Sequence, residues 1–495
     1  MKSEVHPYWI AALTVAGLCL VPVLNAQSSS SYSPLANSIA TPRPFDPGTN
    51  TTNPSALAVQ AQNPYLGSVP VSVPVPEVLQ LTLTDAVSRA LRSNLGLVDS
   101  EEEHAQSRAA RMRALAAILP QLSASLTGDF RTFPVNTIGG QKLDLPNMIP
   151  AYNYQLAVLS YHQNVLDISA LHAIKAEHAE EMASVASLAD ARNIVVLAAA
   201  SGYLQVLASQ SHVRTAEAAV ASARALESLL KDRVQREVSP DIDAIRASVA
   251  RESAEQQFAL AQVRLEKDKL GLARIIGLSV DQKFVLTTKL GFCATPNDDL
   301  DALIHEATTA RQDLKAAAAQ VEFAKEEVRV QRAQRLPSLE VSSNAGEVGV
   351  NFGHAYGTYE VEGRVSVPIF TGRRIESQVL TAEANSRRRE AEYKDLEERT
   401  HYDVRSALLD LRAASTSVEV SHRNLDLATE GLRQAKDRYD AGVSNSLELI
   451  QAQQTLAIAE DNDIESIYAH NLAKLMLIRA TGTAERDYTT YLGVH

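Results

Sequence analysis

The spacing of hydrophobic positions divides the chain into helix-like and strand-like stretches. Apolar residues recur in steps of three and four, the spacing of a coiled-coil seam, at Leu314, Ala317, Val321, Ala324 and Val328. Patterns of this kind predict helices over residues 85–119, 167–239, 300–335 and from 372 to the C-terminus. The stretch after Gly372 contains no proline, and residues 167–239 contain only one glycine. This pattern alone does not exclude a coiled-coil or helical-bundle protein.

Four other segments alternate between apolar and polar residues, which is typical of half-exposed strands. They are Gln121–Pro134, Tyr152–Val165, Ser338–Val350 and Thr358–Pro368. In the last of them the odd positions from Tyr359 to Val367 are mostly apolar, whereas Glu360, Glu362 and Arg364 alternate with them. Their length suits a tilted strand that crosses a membrane. Because four strands are too few to close a barrel, we expect several copies of the chain to share one.

The same plan occurs twice along the chain. A helix ending in Leu119-Pro120 and another ending in Leu336-Pro337 are each followed by two strands and a long helical stretch. In the second part of each plan a constant offset of 205 relates Lys231-Asp232-Arg233 to Lys436-Asp437-Arg438, and Gly277 to Gly482. A constant offset over this length indicates an internal duplication. We therefore predict a first repeat over 80–290, with strands at about 121–165, a second over 291–485, with strands at about 338–368, and a tail over 486–495.

The N-terminal residues resemble an export signal followed by a flexible leader. Residues 1–26 combine Lys2, an apolar stretch and a small residue at Ala26, which predicts a cleaved signal peptide, with a retained anchor as the alternative. Residues 27–79 are rich in Ser and Pro and predict a flexible leader. Removal of the signal peptide leaves Cys293 alone, so no internal disulfide is expected. Because no later window holds 18 uninterrupted apolar residues, we also expect no membrane-spanning helix in the mature chain.

Composition and charge narrow the function further. Hydrophobic residues make up 45% of the chain but aromatic residues only 5%, as in long packed helices rather than a globular enzyme. The formal net charge of −12 argues against nucleic acid as a partner. The sequence contains no zinc motif, phosphate loop or serine-hydrolase motif, so we predict no catalytic residue, cofactor or metal site.

An ordered set of short motifs resembles the outer membrane efflux protein family, whose members are TolC-like channels. It comprises Ala310–Lys315 (ARQDLK), Gln334–Leu339 (QRLPSL), Val367–Gly372 (VPIFTG) and, in the last repeat, Ser446–Ile450 (SLELI). The likeness covers roughly residues 80–485. It implies a homotrimer in the outer membrane of a Gram-negative-type bacterium, with four strands from each subunit in a twelve-stranded β-barrel and a helical tunnel in the periplasm. A periplasmic adaptor protein, an inner-membrane transporter and outer-membrane lipid are the implied partners.

The resemblance also implies a gate at the periplasmic mouth, where the helical hairpins turn. The family's gate tyrosine falls on Tyr439, its first acidic ring residue on Glu448, and its second on Gln451, which is neutral and implies weaker cation selectivity. The hairpin turns that would dock the adaptor comprise Val238, Ser239, Pro240, Gly442, Val443 and Ser444. Tyr439 packing at a helix end and Glu448 lying in solvent remain equal alternatives.

The function implied is that of the outer-membrane channel of a tripartite efflux or type I secretion system, a passive conduit and not an enzyme. A periplasmic coiled-coil adaptor or scaffold without a pore is the alternative. An adaptor would be expected to carry a compact β-rich domain, whereas this chain has paired strands at matching places in both halves. The sequence does not specify which substrate is exported.

Overall fold

The fold is seen in a computed structural model that describes residues 63–70, 76–134, 148–237, 239–288, 291–293 and 299–493. The predicted signal peptide and most of the predicted leader lie outside the described residues. Residues 63–70 belong to the predicted flexible leader but are folded: Pro64–Leu66 form a short 3₁₀ helix, and the amide of Val69 donates to the carbonyl of Ser93 over 2.8 Å. For this segment the prediction of a flexible leader is wrong.

Two similar halves follow each other along the chain. The first contains β1 (Leu79–Leu81), α1 (Leu83–Ser93), α2 (Leu95–Ala116), β2 (Gln121–Pro134), β3 (Met148–Leu166), α3 (Ile168–Gln235) and α4 (Asp241–Ile275). The second contains β4 (Phe284–Leu286), α5 (Leu300–Ala310), α6 (Gln312–Ala333), β5 (Ser338–Gly349), β6 (Ala355–Ser366), α7 (Arg374–Asp440) and α8 (Ser446–Ala480). A short helix α9 (Ala484–Leu492) ends the described chain. β1 and β4 pair in parallel, so the two halves share a small sheet.

The first predicted helix of each half is in fact two helices. α1 begins two residues earlier than expected, because Thr82 caps it. The Thr82 hydroxyl accepts from the amide of Asp85, and the Asp85 carboxylate accepts in return from the amide of Thr82. The break between α1 and α2 falls at Asn94, whose backbone is extended and whose side chain caps α2 at the amide of Gly96. Arg311 has an extended backbone at the matching place between α5 and α6.

The four longer strands form one antiparallel sheet in the order β2-β3-β5-β6. The register places Leu122 opposite Tyr161, Val341 opposite Gly363 and Ala345 opposite Tyr359, so these residues share one face. On that face Leu126, Phe130, Tyr359, Val361 and Val365 are all exposed. Ser, Asn, Glu and Arg residues predominate on the opposite face, as in the Asn344–Glu360 and Ser342–Glu362 pairs. The predicted strands are confirmed, with one apolar and one polar face.

The long helices of both repeats pack side by side. α3 has 68 residues, which correspond to roughly 100 Å at 1.5 Å per residue. By length and composition α3 could cross a membrane, contrary to the expectation that no later helix could, but most of its apolar window is buried against neighbouring helices, as in an ordinary core helix. The main hydrophobic core joins the middle of α3 and α7 to the ends of α4 and α8, around Tyr203, Leu272, Val404 and Leu477.

Largely buried ion pairs lie near this core, and one of them joins the two halves. Arg479 of α8 binds Asp190 of α3 through two bonds of 2.8 and 3.0 Å. Arg311 binds Asp313 and reaches Asp403 of α7 over 3.1 Å. Burial raises the pKa of Asp190, although the Arg479 charge opposes that shift. Removing one partner from such a pair would leave the other charge buried and unpaired.

Candidate gate at the helical tips

The turn between α7 and α8 has the hydrogen bonds of a Schellman motif. The amide of Gly442 donates to the carbonyl of Tyr439 over 3.1 Å, and the amide of Val443 donates to the carbonyl of Arg438 over 3.0 Å. Gly442 adopts φ +74°, a left-handed conformation that a glycine reaches without a side-chain clash. The side chain of Asn445 then caps α8 by accepting from the amide of Glu448. The turn exposes Gly442 and Val443, two of the predicted docking residues.

The turn between α3 and α4 repeats this geometry with a different residue. Glu237 stands 205 positions before Gly442 and adopts φ +57°. Its amide donates to the carbonyl of Val234 over 2.9 Å, which matches the bond from Gly442 to Tyr439. Pro240 precedes the first turn of α4, and Ser239 lies beside it in the turn, whereas Val238 lies outside the described residues. At equivalent positions, therefore, the first tip has a glutamate and the second a glycine in the left-handed conformation, which is strained only for the glutamate.

The two tips pack on one another around a small apolar cluster, which we call the tip cluster. Its buried members are Leu226 and Leu230 of α3, Ala247 of α4, Ala435 and Tyr439 of α7, and Leu449 and Ile450 of α8. All four hairpin helices contribute to it, and it is separate from the main core. A small, isolated cluster has a lower free energy of local opening than a large core, so we expect the tips to open more readily than the main core.

Tyr439 lies inside the tip cluster, with only 4% of its surface exposed. Its hydroxyl is buried and has no hydrogen-bond partner among the described residues. The guanidinium carbon of Arg233, from the other hairpin, stands 4.4 Å from the centre of the Tyr439 ring. Arg233 also approaches Asp440 at 3.4 Å. The contact that joins the hairpins at Tyr439 is therefore a cation–π interaction with the ring and not a hydrogen bond from the phenol.

Glu448 and Gln451 lie on the first turns of α8, outside the tip cluster. The carboxylate of Glu448 pairs with Nε of Arg438 over 3.1 Å, and both side chains are about half exposed. Gln451 is exposed. Ser446, which is almost wholly buried, donates to Asp243 of α4 over 2.5 Å and so links the hairpins a second time. Ser444 is partly buried, and its hydroxyl has no partner among the described residues.

The structure thus brings Tyr439 and Glu448 to one tip but adds residues that the sequence did not single out. Arg233, Asp243, Arg438 and Asp440 carry the polar contacts described above. The sequence contained one signal for them, since Arg233 and Arg438 are equivalent positions at the offset of 205. Their different partners could not be read from that offset.

A second polar contact between the repeats lies further along the helices. His212 of α3 stands 2.9 Å from Asp461 and 3.8 Å from Glu465, both on α8, with one carboxylate at each ring nitrogen. Two hydrogen bonds, the stronger to Asp461 and the weaker to Glu465, raise the pKa of His212 to about 9. His212 therefore carries its charge at neutral pH and bridges the two repeats. Within the described part of the chain, no group of three or more His, Cys, Asp or Glu residues is arranged to hold a metal ion.

Comparison with known proteins agrees with this architecture. The model of the family described as "Outer membrane efflux protein" matches residues 303–483. Over this part of its second half, the chain is similar to the outer membrane efflux protein family. A pyoverdine export outer membrane protein of Pseudomonas aeruginosa is 25% identical over 81% of this chain and 85% of its own length. Its counterpart in Pseudomonas putida is 24% identical over 57% of this chain, and the chain spans only 60% of that relative's length. The outer membrane protein TolC of Vibrio cholerae is 25% identical over 59% of this chain and 69% of its own length.

Solved structures show the same fold at lower identity. The outer membrane channel CmeC of Campylobacter jejuni superposes with a TM-score of 0.73 at 17% identity, over 85% of this chain and 92% of that one. The outer membrane protein VceC of Vibrio cholerae gives a TM-score of 0.69 at 19% identity, over 81% and 96%. These likenesses confirm the predicted fold class, in which long helices are combined with a four-stranded sheet.

Proposed function

We propose that this chain is the outer-membrane channel subunit of a tripartite efflux or type I secretion system. It conducts substrates passively from a periplasmic adaptor and an inner-membrane pump to the exterior, without catalysis of its own. The observation that carries the proposal is the β2-β3-β5-β6 sheet, which is apolar and exposed on one face and polar on the other, at the end of helices of about 100 Å.

A sheet of this kind needs further copies of the chain. Its first and last strands, β2 and β6, are edges with unpaired backbone groups, which are not tolerated in hydrocarbon. Three copies would give twelve strands, enough for a closed barrel with an aqueous interior. We therefore propose a homotrimer, with the polar strand face lining the conduit and the apolar face in contact with outer-membrane lipid.

The tips are the proposed contact with the adaptor and the proposed gate. Exposed Gly442 and Val443 lie at the end of the second hairpin, where a periplasmic partner would meet the channel. The tip cluster holds the two hairpins of one subunit together, so opening the mouth requires this cluster or its contacts with neighbouring subunits to rearrange. Tyr439 and Glu448 are the gate residues that we propose, together with Arg233 and Arg438, which contact them.

A pair of matched variants tests the proposed orientation of the sheet. Val365 lies on the apolar face and Asn344 on the polar face of the β5–β6 pair. An arginine on the lipid face near the middle of the membrane costs about 2–4 kcal/mol. We expect Val365→Arg to reduce carbonate-resistant assembly in the outer membrane. Asn344→Arg should assemble normally and change the conductance and ion preference of the pore in planar bilayers.

The outcome separates the channel from the alternative class. Equal tolerance of both substitutions, with a wild-type protein that carbonate washes from the membrane, would support a periplasmic scaffold and contradict the proposal. Native mass measurement in detergent should give a trimer, and a stable folded monomer would contradict the proposed assembly.

A further inference from the structure

Two large apolar side chains protrude just beyond the end of β6. Ile369 is 96% exposed and Phe370 is 87% exposed, the highest values for any large hydrophobic side chain among the described residues. They follow the exposed apolar residues Val365 and Val367 along the same segment. Because burying an aromatic or aliphatic side chain removes a large apolar area from water, this protruding pair is expected to have a partner in the assembled protein.

Three arginines lie at the same edge of the sheet. Arg335 precedes β5, and Arg373 and Arg374 lie where α7 begins after β6, while Ser338 of β5 pairs with Ser366 of β6. Arg374 donates to Gln334 over 3.3 Å, so the segments before β5 and after β6 are in contact. All three arginines are exposed, and none forms an ion pair within 4.0 Å with a carboxylate of the described residues. The edge therefore combines protruding apolar groups with uncompensated positive charge.

The spacing along β6 places this edge at a membrane boundary. Tyr359, 85% exposed on the apolar face, lies ten positions before Ile369. Seven of these ten steps lie within β6, which ends at Ser366, and they span about 23 Å, or roughly 18 Å across the membrane at a tilt of about 40°. The apolar band of an outer-membrane barrel is about 25 Å tall and carries aromatic residues at both boundaries, so residues 367–370, which continue past the strand, extend towards its second boundary. Tyr359 and Phe370 thus lie towards opposite ends of one apolar band.

We propose that this edge binds anionic phospholipid of the periplasmic leaflet. Ile369 and Phe370 insert between the acyl chains, and Arg335, Arg373 and Arg374 bind the headgroup phosphates. Guanidinium groups hold phosphate oxygens through paired hydrogen bonds, and each basic residue near an anionic lipid surface strengthens attachment. The inference rests on the proposed function, because it assumes that β6 crosses the outer membrane.

Tryptophan fluorescence can locate the protruding pair directly. The sequence contains one tryptophan, Trp9, within the predicted signal peptide, so the wild-type protein serves as the blank. The full-length Phe370→Trp protein would be reconstituted in vesicles whose lipids carry bromine at shallow or deep acyl positions. We expect quenching of Phe370→Trp to be severalfold stronger with shallow bromine than with deep bromine. Val365→Trp, near the middle of the band, should show the reverse order.

The two variants separate failure of the inference from failure of the proposed function. If Val365→Trp is quenched and Phe370→Trp is not, protein covers the pair, from a second copy of the chain or a periplasmic partner, and the lipid site is refuted while the channel stands. If neither variant is quenched, the orientation of the sheet and with it the proposed function are refuted.

The arginines require a separate measurement. We expect wild-type protein extracted from vesicles of equal phosphatidylglycerol and phosphatidylcholine to retain severalfold more phosphatidylglycerol. The triple variant Arg335→Gln, Arg373→Gln and Arg374→Gln should lose this enrichment. A matched triple variant, Arg387→Gln, Arg388→Gln and Arg405→Gln, removes exposed arginines that begin roughly 20 Å further along α7 and should retain it. Equal enrichment in all three proteins would overturn the headgroup assignment.

Discussion

Arg233 contacts both Tyr439 and Asp440 across the two hairpins, so it should contribute to the free energy that keeps the tips of a subunit packed together. Its guanidinium lies 4.4 Å from the centre of the Tyr439 ring and 3.4 Å from Asp440, both on the other hairpin. We predict that Arg233→Gln opens the tips more often. Arg236→Gln is the matched control, because Arg236 is exposed and its ion pair among the described residues is with Asp232 of α3.

The magnitude follows from the burial of the partners. The Tyr439 ring is buried and Arg233 is only 27% exposed, so the cation–π contact contributes about 1–2 kcal/mol. The ion pair with Asp440 adds little, since the Asp440 side chain is 51% exposed and such pairs contribute about 0–1 kcal/mol. A loss of about 1.4 kcal/mol per subunit shifts the ratio of open to closed tips tenfold. We expect the open-to-closed ratio of single channels to rise at least about tenfold for Arg233→Gln, and by up to about a thousandfold if the three tips of the proposed homotrimer open together, and to stay unchanged for Arg236→Gln.

Tyr439→Phe provides the test of the mechanism. The phenol has no described acceptor and is shielded from water, so its removal leaves the ring and the Arg233 contact in place. Tyr439→Phe should therefore open the channel less than Arg233→Gln does, whereas a hydrogen bond across the mouth would reverse that order. Planar-bilayer recordings of the three variants, with hydrogen exchange at the tips, distinguish these cases. A larger effect of Tyr439→Phe, or an equal effect of Arg236→Gln, would refute the reasoning.

Four further substitutions have expected signs. Gly442→Ala should destabilise the second tip by about 0.5–1 kcal/mol, because a side chain is strained at φ +74°. Glu237→Gly should stabilise the first tip, because it removes a side chain from the same left-handed conformation. Hydrogen exchange of each hairpin measures both changes. Glu448→Gln leaves Arg438 without its partner, so reversal-potential measurements should show a weaker preference for cations, and an unchanged preference would exclude a role in selectivity. The raised pKa of His212 means that its bridge stabilises fully below the usual pKa of 6.5 and is lost as pH rises through about 9. His212→Gln should accordingly destabilise α8 by on the order of 1 kcal/mol at pH 6 and have little effect at pH 10, as followed by hydrogen exchange corrected for its own pH dependence.

The sequence predicted the elements of this fold better than their ends. Alternation located all four sheet strands, and Gln121–Pro134 agrees at both ends, because an apolar face next to a polar one leaves a period of two in the residues. The breaks at Asn94 and Arg311 were missed, since neither residue is a proline or glycine. Asn94 stabilises its break through a side-chain bond to the distant carbonyl of Tyr65, and Arg311 through ion pairs with Asp313 and Asp403. Contacts of this kind depend on tertiary structure and leave no local pattern.

The sequence identified the two helical tips but not the contacts within them. The offset of 205 identified the two tips, and the resemblance placed Tyr439 and Glu448 on one of them. Local sequence does not show that Arg233 would cover the Tyr439 ring, because that contact joins residues 206 positions apart and exists only once both hairpins are packed. The same applies to the bond from Ser446 to Asp243.

The parallel pairing of β1 with β4 sets an order in which the exported chain can fold. Leu79 pairs with Phe284, so β1 has to wait for a segment 205 residues later. At about 5–20 residues per second, that wait lasts roughly 10–40 seconds during synthesis alone. Until β4 arrives, the edge of β1 is unpaired and available to proteases, chaperones or another copy of the chain. The first repeat cannot complete its own core, and we expect periplasmic quality control to act most strongly on chains truncated before residue 284.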